Sequence, residues 1–179
     1  MRAFLALNLN KEIKNKYSDI LRINENTAEL KKVSKNKMHI TLVFFDNIKE
    51  EQIELIKEKV INSSPAPFNI NFENISYFTN KFKDINVIFV KAVSEELESY
   101  VKTLRENLNN IENLKYDKKD FKSHITLARV KRVYDNKKLK EKIEEINDLD
   151  FTPLSFTAHS ITLYSSDFVN YTEIVTINF

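Results

Sequence analysis

The chain has 179 residues, of which 42% are hydrophobic and 30% are charged, and its formal net charge at pH 7 is +2. This length suits one compact domain or two closely packed lobes, and the small net charge means that affinity for a polyanion must come from a local cluster of basic side chains. The absence of cysteine excludes disulfides, a thiol nucleophile and cysteine-ligated metal sites, and the absence of glycine excludes the usual glycine-rich phosphate loops.

The beginning of the chain does not resemble a secretory signal peptide. Residues Met1 to Leu7 include one basic residue and a short apolar run, which Asn8 and Asn10 then interrupt. No apolar stretch approaches the roughly 18 residues that a membrane-spanning helix needs. We therefore expect a cytoplasmic protein without membrane association.

The first half of the chain predicts five elements in the order strand, helix, strand, helix, strand. The apolar run at the start forms the first strand, and the segment around His39 forms the third element. The last strand opens after Pro67 with apolar residues at alternate positions. Apolar residues at helical spacing mark the two helices: Ile13, Tyr17, Ile20 and Leu21 for the first, then Ile53, Ile56 and Val60 for the second.

The second half repeats this order. Residues 85–90 predict a strand, Ser94 is a suitable N-cap for the helix that follows, and a second strand contains His124. After Pro153 another strand is expected, with two more over residues 161–164 and 174–179. The apolar faces of the two helices are Leu97, Val101, Leu104 and Leu108, then Leu139, Ile143 and Ile146.

One hexapeptide pattern, Lys-x-His-Ile-Thr-Leu, occurs in both halves, at residues 37–42 and 122–127. The two copies use two of the three histidines and lie 85 residues apart. The same shift places the pair Phe4-Leu5 on Phe89-Val90. The repeat predicts an α+β fold made of a duplicated α/β unit. We expect two mainly antiparallel sheets in two pseudo-twofold-related lobes, which flank a central groove and carry their helices on the outside.

We expect a single domain over residues 1–179, because no low-complexity segment or long linker interrupts the chain. Residues 1–80 would form the first lobe repeat and residues 81–179 the second, with the join near residues 80–84. An exchange of terminal strands between the lobes is compatible with this division.

The two motifs place polar residues on one face of each histidine strand. Side chains alternate across a strand, so the residues between the polar ones form an apolar face that helices can cover. In two strands related by a pseudo-twofold axis, the polar faces would lie opposite each other across the groove. The polar residues are Lys37, His39 and Thr41 in the first copy and Lys122, His124 and Thr126 in the second.

This arrangement suits phosphoryl transfer, in which the attacking and leaving oxygens lie roughly in line at phosphorus. One imidazole can take a proton on one side while the other delivers a proton on the opposite side, as a reference pKa of about 6.5 permits. The threonine hydroxyls can donate hydrogen bonds to phosphate oxygens, and the lysines can offset the developing charge. The pattern therefore favours general acid and base catalysis by two His-x-Thr motifs without a cofactor.

Other chemistries have less support. No His-x-x-x-His or similar spacing is present, so no metal site is expected. A Ser-His-Asp triad stays open on composition, but nothing singles out a serine. The third histidine, His159, has no threonine two residues on and is interpreted as a strand residue that makes a structural hydrogen bond.

Four blocks of sequence carry a resemblance to a known family. They cover residues 1–6, 38–45, 121–129 and 161–166, followed by Tyr171 near the end. In this order they resemble the two-histidine (2H) phosphoesterase superfamily, and most of all its RNA 2′,3′-cyclic phosphodiesterase (LigT-like) family. The resemblance extends over nearly the full length of the chain.

The resemblance implies metal-independent hydrolysis of an RNA-terminal 2′,3′-cyclic phosphate to a 2′-phosphomonoester. It makes His39 the proton donor to the departing 3′ oxygen and His124 the proton acceptor that activates water. The implied partners are RNA with such ends, tRNA fragments included, or cyclic nucleotides, and a monomer is expected. Two alternatives stay open: a phosphodiesterase or RNA-end ligase that acts on 2′,5′ linkages, and a module that binds RNA ends without catalysis.

Several residues outside the His-x-Thr pairs are candidates for substrate binding. Arg129 occupies the family's arginine position, but strict alternation places it on the face of Ile125, so it reaches the groove only if the strand twists or bulges. The family often has glycine where this chain has Asp46 and proline where it has Ser123, and both departures affect loop geometry. The candidates are Lys37, Lys122 and Arg129 for the phosphate, with Phe44 and Phe45 for stacking on a base.

Overall fold

The computed structural model describes residues 1–179, which form nine β-strands and four α-helices. The strands are β1 (Ala3–Asn8), β2 (Ala28–Lys32), β3 (His39–Phe45), β4 (Phe68–Thr79), β5 (Ile85–Val93), β6 (His124–Val133), β7 (Ser155–Ala158), β8 (Ser160–Ser166) and β9 (Tyr171–Asn178). The helices are α1 (Lys11–Tyr17), α2 (Glu51–Asn62), α3 (Glu95–Leu108) and α4 (Asn136–Leu149). A short 3-10 turn, Lys35–Lys37, precedes β3.

Three of the helices begin at a polar N-cap. The side chains of Asn10, Ser94 and Asp135 each accept a hydrogen bond from the backbone N–H three residues on, at 2.9, 3.3 and 2.9 Å. Each bond satisfies a donor that has no partner within the helix. None of the helices combines the length and the apolar character that crossing a membrane would require. The predicted apolar face of α3 is fully buried: Leu97, Val101, Leu104 and Leu108 are all at most 1% exposed.

The strands form two antiparallel halves that meet at the two histidine strands. Their hydrogen-bonded order is β7-β4-β5-β6-β3-β1-β8-β9, and β2 pairs with β6. One residue pair, Ile40 with Ile125, joins β3 to β6. The duplication is visible in this order, because β1 flanks β3 on one side of the join as β5 flanks β6 on the other.

Strands cross between the two halves of the chain. Strands β8 and β9 extend the side of the sheet that holds β1 and β3, whereas β2 and β4 lie with β5 and β6. The two sides of the sheet therefore do not coincide with residues 1–80 and 81–179, since each half of the chain contributes strands to both sides.

The 85-residue interval relates β3 to β6, but the interval that relates their neighbours β1 and β5 is two residues shorter. Leu5 pairs with Val43, and Ile88 pairs with Ala128, which is the equivalent position in β6. The repeat in β1 and β5 is therefore offset by 83 residues, so the alignment of Phe4 with Phe89 was wrong. The connection between β1 and β3 simply differs in length from the one between β5 and β6.

Two elements differ from the predicted pattern. Helix α1 ends at Tyr17, because the chain turns at Ser18 and Asp19, although Ile20 and Leu21 beyond the turn are still buried at 8% and 3% exposure. Strand β2, which has three charged residues among its five, was not predicted. Charged side chains are common on strands at a sheet edge, where no alternating apolar pattern is needed.

Candidate active site

Both motif histidines are held by the same backbone contact. Nδ1 of His39 lies 2.7 Å from the carbonyl oxygen of Lys37, and Nδ1 of His124 lies 2.5 Å from that of Lys122. Because a carbonyl oxygen can only accept, Nδ1 carries the proton in each ring, and Nε2 is the basic atom of the neutral form. The duplicated contact leaves both Nε2 atoms for proton transfer.

Aromatic rings fix the orientation of each imidazole. The His39 ring stacks on Phe4, with 4.9 Å between centroids, and meets Tyr171 edge to face at 5.5 Å. The His124 ring lies 5.1 Å from Phe89 and meets Phe78 edge to face at 5.3 Å. Such packing restricts rotation of the rings and partly removes them from water.

Burial lowers the pKa of both imidazoles below the ordinary value of 6.5, and the two carbonyl contacts oppose this effect in part. The positive charges of His124 and Lys14 lower the pKa of His39 further, and the guanidinium of Arg129 does the same for His124. Both rings are therefore mainly neutral at pH 7. This suits a general base directly, whereas a general acid must first take up a proton.

The groove between β3 and β6 has a volume of about 250 Å³ and is lined by all six polar residues of the two motifs. Its charged lining residues give an excess of positive charge, because five cationic side chains outnumber the two carboxylates of Asp117 and Asp120. An anion such as a phosphate is therefore favoured in it. The cationic lining residues are Lys37, Arg105, Lys119, Lys122 and Arg129.

A β-bulge brings Arg129 into the groove. Along the pairing of β5 with β6, Phe89 faces Thr126 and Ile88 faces Ala128, so Leu127 is an extra residue. The extra residue reverses the alternation beyond it and places Arg129 on the same face as Thr126. This resolves the conflict between strict alternation and the family's arginine position.

An equivalent bulge at Leu42 in β3 decides between the two phenylalanines. Leu5 pairs with Val43 and Ala6 with Thr41, so Phe44 follows the groove face and is 39% exposed. Phe45 lies on the other face, is 1% exposed and packs in the core. The prediction that Phe45 stacks on a base was therefore wrong, while Phe44 lines the groove.

The two motif lysines line the groove from outside the strands. Lys37 belongs to the 3-10 turn, and Lys122 lies in the loop before β6, so alternation does not place either of them. Each ammonium lies 5.7 Å from the centroid of an aromatic ring, Tyr171 for Lys37 and Phe78 for Lys122. The ammonium of Lys37 also donates to the carbonyl oxygen of Val169.

The motif threonines differ in their contacts. Oγ1 of Thr41 lies 3.0 Å from Nε2 of His39, so it can orient the ring or pass a hydrogen bond to a substrate. The hydroxyl of Thr126 has no hydrogen bond within the protein and lines the groove beside His124. This hydroxyl is therefore available to a phosphate oxygen.

The groove lining also includes residues that were not predicted as site residues, among them Tyr171, Arg105 and Lys119. Tyr171 comes from β9 and reaches the groove because β8 pairs with β1 and β9 pairs with β8. Arg105, on α3, donates to the carbonyl oxygen of Lys119 at 2.6 Å. Tyr171 belongs to the sequence pattern that carries the family resemblance, which could have marked it, whereas no local signal marked Arg105 or Lys119.

The remaining sequence candidates lie outside the groove lining. His159 is exposed between β7 and β8, so the interpretation as a strand residue was wrong; its backbone carbonyl accepts a hydrogen bond from the N–H of Phe179 at 2.9 Å, but its ring makes none. Asp46 is exposed, and Ser123 is buried with no hydrogen-bond partner for its hydroxyl. Nowhere do three or more histidine, aspartate or glutamate side chains converge as metal ligands would.

Comparison with known proteins identifies the family. The model of the 2′-5′ RNA ligase superfamily matches residues 14–169, which is most of the chain. This chain belongs to that superfamily. Superfamily members are two-histidine phosphoesterases, as the repeated motifs predicted.

Two relatives within the superfamily are named RNA 2′,3′-cyclic phosphodiesterase. The one from Methanocaldococcus jannaschii is 33% identical over 168 residues, which cover 93% of this chain and 91% of that protein. The one from Archaeoglobus fulgidus is 32% identical over 133 residues, which cover 74% of each protein.

Solved structures share the fold. The protein TT0787 of Thermus thermophilus superimposes with a TM-score of 0.76 at 23% identity, over 99% of this chain and 97% of that one. Escherichia coli LigT, crystallised with 3′-AMP, gives a TM-score of 0.73 at 17% identity over the same shares. The predicted duplicated α+β fold of the LigT type is therefore confirmed.

Proposed function

We propose that this chain hydrolyses the 2′,3′-cyclic phosphate of an RNA end, or of a cyclic nucleotide, to a 2′-phosphomonoester. The observation that carries the proposal is the pair of imidazoles of His39 and His124, each fixed through Nδ1 beside one cationic groove. The relative from M. jannaschii, named RNA 2′,3′-cyclic phosphodiesterase and 33% identical over 93% of this chain, supports this choice of substrate.

In the proposed reaction, Nε2 of His124 takes a proton from water while the water oxygen forms a bond to phosphorus. The bond between phosphorus and O3′ breaks on the opposite side, and Nε2 of His39 gives its proton to O3′. The phosphate stays on O2′ of the ribose. His124 then releases one proton to solvent and His39 takes one up, so both rings return to their starting states and the reaction needs neither a metal nor a covalent intermediate.

The surroundings of the two histidines support this assignment of acid and base. Phe44 and Tyr171 both pack on Phe4, at 5.5 and 4.9 Å between centroids, and Phe4 stacks on His39. Phe44 and Tyr171 are each 39% exposed and so offer ring surface to a nucleoside base, whereas Phe89 beside His124 is only 7% exposed. O3′ would then lie near His39, and water would approach from the side of His124.

The cationic residues would stabilise the charge that develops on the phosphate oxygens. Arg129 lies close enough to His124 to lower its pKa, and its guanidinium can bind two oxygens at once. Lys122 lines the same groove, and the free hydroxyl of Thr126 adds a neutral donor. Fixed donors of this kind are worth most where the phosphate has lost part of its water.

Product analysis tests the proposal. Purified protein in EDTA is given an oligonucleotide that ends in a 2′,3′-cyclic phosphate, and phosphorus NMR identifies the product. We expect a 2′-phosphomonoester, formed equally fast by His159→Ala, which changes an exposed histidine outside the groove. A 3′-phosphate product would contradict the leaving group assigned to His39. Joined strands would instead indicate 2′,5′ ligation, and bound RNA without turnover would indicate a binding module.

A further inference from the structure

A second cavity, which we call the amide pocket, lies beside His39 and continues from the groove. It has a volume of about 240 Å³ and shares Lys37, His39 and Tyr171 with the groove. Its other polar walls are neutral, and they come from Asn8, Asn36, Asn170 and Tyr164. Amides and a phenol bind groups with both donors and acceptors, whereas the cationic groove binds anions.

The side chains of the amide pocket keep hydrogen-bonding capacity for a ligand. Asn8 is already committed, since it donates to Thr162 at 3.0 Å and accepts from Tyr164 at 2.7 Å. The amide of Asn36 makes no hydrogen bond within the protein, and the side-chain oxygen of Asn170 accepts none. The pocket therefore has one rigid wall and two amides with free groups.

The loop that carries Asn170 is fixed in place. The carboxylate of Asp167 accepts from the backbone N–H groups of Val169 and Asn170, at 2.9 and 2.5 Å. The ammonium of Lys37 donates to the carbonyl oxygen of Val169 and so ties this loop to the 3-10 turn. Asn170 is thereby held in a preformed pocket that Asn36 also lines, which lowers the entropy cost of binding.

The amide pocket exists on one side of the duplicated fold only. In the sheet register, Asn8 pairs with His39 as Lys91 pairs with His124, and Lys91 forms an ion pair with Glu73 at 3.0 Å. The position 85 residues after Asn36 is occupied by a phenylalanine. The common framework of the two histidines therefore does not require the amides, which points to a role in binding one end of an asymmetric ligand.

We propose that the amide pocket binds the base of the terminal nucleotide, with Asn36 and Asn170 hydrogen-bonded to the base edge and the Tyr171 ring against its face. This inference rests on the proposed function and adds the part of the substrate that lies beyond the phosphate. Asparagine amides pair with base edges through one donor and one acceptor, and an aromatic ring stacks on any base. Tyr171 is 39% exposed and lines both cavities, so it separates the base from the phosphate.

The test compares a substrate with a base and one without. The quantity measured is the ratio of kcat/KM for adenosine 2′,3′-cyclic phosphate to that for methyl riboside 2,3-cyclic phosphate. We expect the wild-type ratio to exceed about 10 and to fall about tenfold in the double variant Asn36→Ala/Asn170→Ala, which loses the hydrogen bonds to the base. The matched control is Asn62→Ala, an exposed asparagine on α2, for which the ratio should stay at the wild-type value.

A wild-type ratio near 1, or an unchanged ratio in the double variant, would overturn the amide pocket as a base site. Calorimetry with adenosine 2′-monophosphate keeps the test independent of turnover. If neither cyclic substrate is hydrolysed, the proposed function fails. A tenfold weaker binding of the nucleotide by the double variant would still support the pocket, whereas equal binding would reject it.

Discussion

Replacing Arg129 by alanine tests whether the bulge in β6 places a functional guanidinium in the groove. Arg129 reaches the groove only because Leu127 bulges out of the pairing between β5 and β6. The substitution removes a guanidinium from the phosphate side of the groove. A hydrogen bond to a charged group contributes about 1.5–3 kcal/mol. The loss corresponds to a decrease in kcat/KM of about 10- to 150-fold. We expect the lower part of this range, because the Arg129 side chain is exposed and solvent screens its charge.

The same substitution also changes the pH profile. The positive charge of Arg129 lowers the pKa of His124, so its removal raises that pKa. A general base must be neutral, and raising its pKa moves the acidic limb of kcat/KM to higher pH. If His124 were the general acid, the alkaline limb would move instead. The pH profile of Arg129→Ala therefore distinguishes the two assignments of acid and base.

Steady-state hydrolysis of a 2′,3′-cyclic nucleotide between pH 5 and pH 8 measures both effects. Arg132→Ala is the matched control, since it removes the same charge from the same strand at a residue outside the groove lining. Arg129→Lys keeps the positive charge but loses the bidentate contact with the phosphate. The acidic limb of its pH profile should therefore lie near the wild-type position, while its kcat/KM should stay below the wild-type value. A kcat/KM within twofold of wild type for Arg129→Ala, or an equal loss in Arg132→Ala, would refute the reasoning.

Three further predictions follow from burial. Because burial lowers the pKa of His39 and His124 below 6.5, kcat/KM should peak below pH 6.5 and fall towards pH 8; a plateau above pH 7 in a pH-rate profile would contradict this. The unfolded chain takes up protons at both histidines more readily than the folded one. The free energy of unfolding should therefore decrease as the pH falls below 6.5, and urea titrations of His39→Gln/His124→Gln should show a smaller decrease. Ile40→Ala should lower the free energy of unfolding by about 2–5 kcal/mol, because Ile40 is fully buried at the only pair that joins β3 to β6. Ile61 is 50% exposed, so Ile61→Ala should change the free energy of unfolding by less than about 0.5 kcal/mol in the same urea titrations. Equal effects of the two substitutions would contradict the packing argument.

Local pattern was sufficient for the two motifs and for the elements other than β2 and the end of α1. The apolar spacing in α3 and α4 and the alternation in β4 are short-range signals, and each matches a buried face. The repeated motif also predicted that His39 and His124 share one groove, because a duplicated strand in a duplicated unit faces its copy. These inferences needed no knowledge of strand order.

Register and strand order account for what the sequence could not predict. A single extra residue in a strand reverses every later position, and neither Leu42 nor Leu127 differs in type from an ordinary strand residue. The faces of Phe44, Phe45 and Arg129 therefore depend on pairing geometry. Tyr171 reaches His39 through the exchange of strands between the two halves of the chain, which no local pattern encodes.

The measurement that tests the central claim most directly is a double-mutant cycle on the two histidines. Hydrolysis of a 2′,3′-cyclic phosphate in EDTA is compared for wild type, His39→Ala, His124→Ala and the double variant. Each single substitution should lower kcat by about 10²–10⁴-fold. The kcat of the double variant should be only slightly below that of the slower single variant. The acid and the base act in the same step, so removing the second group costs little once the first is gone. Wild-type activity in either single variant would contradict the account.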